Sequence, residues 1–137
     1  MLDIPAQAVC VITYDKNRKV LTVTRRHTDI ISLPGGKVDP GEEPIDAAVR
    51  EYFEETGIEL DKTKLVPVYS QVVPGDVIYY STAFCYNEAL PVTDKVWSVE
   101  EGISVSFETV DDLLTKGCFS EYNKAAFTNI DRILKKV

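Results

Sequence analysis

The sequence predicts a mixed α/β fold, a sheet of parallel and antiparallel strands covered by helices. Three observations lead there. Two β-branched runs separated by a polar turn open the chain as a hairpin. A helix bracketed by Pro44 and Gly57 then interrupts the strands. After two or three further strand runs, the last thirty residues return to helical periodicity.

Gln7–Tyr14 (QAVCVITY) is apolar and β-branched and reads as a buried strand. Asp15-Lys16-Asn17-Arg18 is a polar turn, and Lys19–Arg26 (KVLTVTRR) alternates as the returning strand. His27–Ser32 reads as a loop, and Leu33-Pro34-Gly35-Gly36 as a glycine turn. Pro44 suits the first position of a helix that runs to Thr56 and stops at Gly57, with Ile45, Ala48, Val49 and Tyr52 as its inward stripe. Leu65–Val73 and Val77–Asn87 are strands on either side of Pro74-Gly75-Asp76. Asn87–Trp97 reads as a loop and Ile103–Glu108 as a last strand. Thr109 is the cap of a short helix to about Lys116. Ser120 caps a final amphipathic helix to about Lys136, with Tyr122, Ala126, Ile130 and Ile133 inward.

Composition narrows the function classes. A chain of 137 residues, 45% hydrophobic and 27% charged, is sized and composed as one globular domain, here residues 1–137. No apolar run approaches a membrane span and the N-terminus lacks a secretory pattern, which points to a soluble, cytoplasmic protein with no membrane partner. Cys10, Cys85 and Cys118 are odd in number and widely spaced, as expected of reduced thiols. His27 is the sole histidine, which sets aside His-based metal sites and Ser-His triads. A net charge of −7 argues against nucleic acid as a partner. The excess is local: Gly36–Ile58 holds seven acids against Lys37 and Arg50. A phosphate-bearing substrate approaches such a surface only with cations reversing its sign.

Within that segment Glu51, Glu54 and Glu55 stand at i, i+3 and i+4, on one face of a helix and within an arc of roughly 100°. Runs of glutamate on a helix are ordinarily a solvated face. The surrounding frame separates this run from that case. The segment reads G-x5-E-x7-R-E-U-x-E-E-x-G-U, with Gly36, Glu42, Arg50, Glu51, Glu54, Glu55, Gly57 and Ile58 in register. It resembles the signature box of the Nudix hydrolases. Every polar and glycine position matches, and the one departure is Tyr52, where the family has an aliphatic residue.

The resemblance implies an α/β/α sandwich over nearly the whole chain. It also implies a Mg²⁺-dependent hydrolase, with Mn²⁺ as a substitute, that uses water to cleave the pyrophosphate linkage of a nucleoside diphosphate joined to another moiety. Glu51, Glu54 and Glu55 are then metal ligands, with the Gly36 carbonyl a further one; oxygen donors of this kind suit a hard divalent cation. Arg50 is read as support, pairing with Glu42 and, at i+4, with Glu54. The general base is Glu54 or an acid in the loop before the last strand, Glu100 or Glu101. Arg25, with Arg26, closes the second strand within reach of substrate phosphate, a place where a solvated strand end is the ordinary alternative. Tyr69, Tyr79, Tyr80, Phe84 and Trp97 include candidates for stacking on a base, although aromatics at strand spacing are more often core.

Substrate choice stays open between nucleoside triphosphates and ADP-ribose. Pro74 lies sixteen residues after Ile58, where the resemblance associates a proline with ADP-ribose hydrolases, yet a proline between two strands needs no functional reason. The tyrosine associated with dinucleoside polyphosphate hydrolases is missing from Pro74, Gly75 and Asp76. The expected partner is a small nucleotide, and the expected assembly a monomer or homodimer. The alternative class is a non-catalytic domain that senses a nucleotide or docks to a protein. Such domains generally lose a box carboxylate, and none is lost here.

Overall fold

A computed structural model of the chain describes residues 6–25, 28, 30–74, 76–91, 97 and 102–134. Its elements follow in the order β1 Ala6–Ile12, β2 Val20–Arg25, β3 Ile31–Ser32, β4 Gly35–Lys37, α1 Pro44–Thr56, β5 Leu65–Val73, β6 Tyr79–Tyr86, β7 Ile103–Glu108, α2 Val110–Lys116 and α3 Ser120–Ile133. One sheet has the order β4-β1-β6-β5 and is mixed: β1 runs parallel to β6, whereas the β1–β4 and β5–β6 pairs are antiparallel. A second sheet, β3-β2-β7, is antiparallel throughout.

Strand alternation divides the interior into two layers. Val9 and Val11 of β1, Leu21 and Val23 of β2 and Phe84 of β6 face α1 and meet Ala47, Ala48 and Tyr52. Residues one step out of phase, Ile12, Val20, Ala83 and Cys85, face the other way and meet Leu113 of α2 and Tyr122, Ala126 and Ile130 of α3. Sheets with a core on each face and helices over both cores form the α/β/α sandwich. Among the described residues no helix is long and apolar enough to cross a membrane.

The expected hairpin of β1 and β2 exists only at its tip. The Asp15 amide donates to the Lys19 carbonyl at 2.9 Å and the Leu21 amide to the Thr13 carbonyl at 3.2 Å, after which the strands part into different sheets. Both edges of β1 are taken, by β4 and β6, so no ladder position remains for β2. The segments read as loop and turn after β2 supply two short strands: β3 pairs with β2, and β4, starting at the first glycine of the turn, pairs with β1.

α1 matches its sequence signals. Pro44 opens it, and Gly57 ends it with φ 75° and an amide that donates to the Phe53 carbonyl at 2.8 Å. The departure at Tyr52 is absorbed by the core: the ring is fully buried and its hydroxyl bonds the Thr13 Oγ1 at 2.8 Å, so a polar tip that an aliphatic residue would lack has a partner. Thr109 caps α2 as expected, accepting from the Asp112 amide at 3.0 Å. α3 differs at both ends. The residue before its first turn is Phe119 rather than Ser120, and Ile133, expected inward, is half exposed at the last helical residue while Leu134 packs on the core.

Candidate active site

The box segment wraps one end of α1. After β4 the chain turns at Asp39–Gly41, with Glu42 bridging the turn by accepting from the Asp39 amide at 3.0 Å. Arg50, one helical turn before Glu54, lies at the centre. Its Nε and Nη2 donate to the two carboxylate oxygens of Glu42 at 2.9 and 3.0 Å, a fork-on-fork pair. Nη2 also donates to the Lys37 carbonyl at 3.1 Å, and Nη1 to Glu51 at 3.2 Å and Glu54 at 3.3 Å. The guanidinium thus ties β4, the turn and α1 into one unit. The Arg50 hydrogen bonds hold the Glu42 carboxyl down to about 2, and Arg50 is in turn pushed up, first by Glu42.

Glu51 and Gly36 occupy one spot. A Cβ placed on Gly36 would fall 2.4 Å from the Glu51 carboxyl carbon and 2.5 and 2.6 Å from its two oxygens. Only a residue without a side chain lets β4 approach this carboxylate. Burial, with the charges of Glu54 and Glu55 in support, pushes the Glu51 carboxyl above its usual range, and Arg50 pulls the other way.

Glu55 is buried at 5% exposure, on the side facing the second sheet. Its Oε1 accepts from the Gly35 amide at 3.2 Å and its Oε2 from the Arg25 Nη2 at 2.8 Å. Arg25 therefore meets a carboxylate first, with 54% of its side chain still exposed. Glu54 is the most open of the three, its side chain 49% exposed.

The three carboxylates share one end of α1 but are held apart by arginines, and among the described residues no cluster of three acids, histidines or cysteines is drawn together tightly enough to grip an ion. The donor chemistry nonetheless fits a hard divalent cation: oxygens only, one carboxylate lying on Gly36, and a half-buried anion that gains from any added positive charge. Glu54 has the freedom to turn toward such an ion. Glu100 and Glu101, the alternative bases, lie outside the described residues, as do Arg26 and His27.

Beside Gly36 opens a cavity of about 400 Å³, roofed by the start of α3 and closed at one end by the β5–β6 turn. Among the described residues its lining includes Arg25 and Lys37 and no carboxylate, in a protein of net charge −7. Lys37 Nζ stands 3.8 Å from an Asp76 oxygen and 5.7 Å from the Tyr79 ring centroid. Of the five aromatics singled out from the sequence, Tyr79 lines this cavity. Phe84 is core, Tyr69 packs edge-on against Tyr122, Tyr80 is exposed on β6, and Trp97 donates to the Thr56 carbonyl at 3.0 Å. Sequence reasoning missed Lys37, Phe119 and Tyr122 as lining residues. Lys37 carried a signal, its place next to Gly36; the other two enter only because α3 folds back over the sheet.

The model of the family described as NUDIX domain matches residues 4–126. The chain belongs to the NUDIX family. Among curated relatives, a Bacillus subtilis protein provisionally named an 8-oxo-dGTP diphosphatase is 40% identical over 65 residues, covering 47% of this chain and 44% of that protein. Diphosphoinositol polyphosphate phosphohydrolase 3-alpha of Mus musculus is 35% identical over 66 residues, 48% of this chain and 40% of the relative. These matches span less than half the length of either relative. Among solved structures, the MutT protein from Methanosarcina mazei Go1 superposes with a TM-score of 0.69 at 24% identity, over 99% of this chain and 100% of that one. A NUDIX hydrolase from Nitrosomonas europaea gives 0.71 at 19% identity, over 91% and 89%. Likeness at that identity establishes the NUDIX fold.

Proposed function

We propose that this NUDIX protein is a divalent-metal-dependent hydrolase that cleaves the pyrophosphate linkage of a nucleoside diphosphate joined to another moiety, a nucleoside triphosphate or an ADP-ribose-type substrate. One observation carries the reading: the box acids of α1 lie around Gly36, directly beside a cavity whose described lining holds two cations and no acid. The names of the two relatives, a diphosphatase of 8-oxo-dGTP and a phosphohydrolase of diphosphoinositol polyphosphates, have a phosphoanhydride bond in common and differ in what hangs from it. They support the bond and leave the group open.

In this reading Glu51, Glu54, Glu55 and the Gly36 carbonyl hold Mg²⁺, with Mn²⁺ as a substitute. Bound there, such an ion would neutralise phosphate oxygens and make a water it holds more acidic. Arg50 positions the ligands: it fixes Glu42 across the turn and reaches Glu51 and Glu54 with its remaining donors. Glu54, its side chain 49% exposed, serves as the base, with Glu101 as the other candidate. Arg25 and Lys37 meet the phosphates at the cavity rim, Arg25 exchanging part of its contact with Glu55 for them. The partner is a small nucleotide and the compartment the cytoplasm, where three free thiols stay reduced.

The test is a screen of ADP-ribose, common and oxidised nucleoside triphosphates, dinucleoside polyphosphates and nucleotide sugars, with and without Mg²⁺, with products identified by mass. Metal-dependent release of a nucleoside monophosphate or of pyrophosphate is expected from at least one. Binding without turnover of any would replace the enzyme with the sensor.

A further inference from the structure

We propose that the protein pairs with a second copy of itself along the free edge of β5, strand against strand, antiparallel and about a two-fold axis near Gln71; the proposal is independent of the hydrolysis proposed above. Among the described residues β5 is paired on one side only, with β6. At nine residues it is the longest described strand. An edge of that length presents a row of unpaired amides and carbonyls, since every second residue turns its backbone groups away from β6. The other edges are short or taken. β3 and β4 have two and three residues, and on β7 Trp97 occupies both backbone groups of Val105 at 2.6 and 3.0 Å.

β5 is guarded over one half and open over the other. Pro67 has no amide hydrogen to offer, and the register with β6 shifts between Pro67 and Tyr69. Asn129 of α3 donates its Nδ2 to the Val68 carbonyl at 2.8 Å. Each device spoils the first half as a template for another strand, and none acts beyond Tyr69. Ser70, Gln71 and Val72 are exposed in succession, so the strand is open on both faces there. Val72 lies opposite Tyr80, and Ile78 shares a face with Tyr80 from two residues earlier. All three are open by roughly half, on the face that α1 covers further along β6 at Phe84. The end of the sheet that α1 leaves bare is therefore apolar.

Charge says what covers it. Between Leu65 and Tyr86 the single charged residue is Asp76, in a chain that is 27% charged. Asp76 is already engaged, accepting from the Tyr79 hydroxyl at 2.7 Å and facing the Lys37 Nζ at 3.8 Å. A chain of net charge −7 repels its own copy, and the β5–β6 hairpin is where two copies meet without bringing like charges together. A partner selected by charge finds nothing to pair with on this edge, whereas an antiparallel strand is its own complement. With Gln71 opposite the partner's Gln71, Ser70 lies opposite the partner's Val72, and the axis repeats the contact. Two four-stranded sheets become one, with the bare apolar ends side by side. Val73, the last residue of β5, lines the cavity, so the pairing also braces that wall.

The test is the mass of the full chain by light scattering after gel filtration, from low micromolar to millimolar concentration. A concentration-dependent dimer is expected, tightening as salt screens the repulsion between copies. Val72→Lys should raise its dissociation constant about 100-fold, because the axis counts the lost apolar contact and the added charge twice. Ile133→Lys, at an apolar residue of like exposure on α3, should leave that constant unchanged. Hydrogen exchange read by mass spectrometry needs no variant: the amides of Ser70–Val73 should slow between dilute and concentrated protein while those of β1 stay the same. A chain that remains single throughout would overturn the proposal. So would a dimer that keeps its affinity in Val72→Lys, one that comes apart in salt, or one whose Ser70–Val73 amides exchange equally fast at both concentrations. Adsorption of single copies to phosphatidylcholine vesicles, lost in Val72→Lys, would assign the patch to a membrane surface and likewise refute self-pairing.

Discussion

Gly36→Ala separates the chemistry of the site from the stability of the fold. The added methyl carbon would lie 2.4–2.6 Å from all three carboxyl atoms of Glu51, where ordinary contact is about 3.4 Å, so the carboxylate must retreat by about 1 Å. The backbone has no reason to resist, because Gly36 sits in an antiparallel strand opposite Val9 and is not among the residues with positive φ. Glu51 has somewhere to go: its side chain is 17% exposed, and what it gives up is a pair with Arg50 at 3.2 Å, worth less than about 1 kcal/mol at such a site. Replacing glycine by alanine at an unstrained position offsets part of that by about 0.4–1 kcal/mol. Stability should therefore change by less than about 1 kcal/mol, a few degrees in Tm. A misplacement of about 1 Å in a group that orients the reaction costs about 100-fold in rate. Calorimetric melting and Mg²⁺-dependent turnover of the best nucleotide, measured on the same preparation, read the two effects independently. Turnover within threefold of the parent, with Tm unchanged, would refute the placement of Glu51 against Gly36 as a functional contact.

Other perturbations test other links. Tyr52→Phe removes a buried hydroxyl and strands the Thr13 Oγ1, so stability should fall by about 1–2 kcal/mol in chemical denaturation while kcat stays the same. Glu54→Gln and Glu55→Gln should each lower turnover by about 100-fold or more with native circular dichroism, and near-normal rates in either would remove that residue from the chemistry. Glu42→Gln tests a linkage of defined sign. The Glu42 carboxyl is depressed to about 2 in the folded protein from an ordinary 4.5, so its stabilisation is present above pH 4.5 and fades as pH falls toward 2. The Tm difference between the parent and Glu42→Gln should be constant from pH 7 to 5 and shrink on acidification below it; a difference independent of pH would contradict the Arg50 fork.

By itself the sequence determined the parts that depend on local spacing. The start of α1 at Pro44 and its end at Gly57 follow from ring-fixed and left-handed backbone, and the common face of Glu51, Glu54 and Glu55 follows from 3.6 residues per turn. Arg50 reaches Glu54 at i+4 for the same reason, whereas its fork on Glu42, eight residues earlier and outside the helix, follows from how the chain enters α1. Tertiary structure decided what depends on which strands find free edges and which helices fold over them. β1 and β2 adjoin in sequence yet lie in different sheets, because β4 and β6 saturate β1 on both sides. Arg25 and Glu55, thirty residues apart, meet only because those sheets are brought against one helix. Phe119 reads from sequence as an ordinary residue ahead of a helix. Its left-handed backbone and its place at the cavity mouth come from a turn anchored to Ile31 and Asn123, long- and short-range bonds that no periodicity encodes.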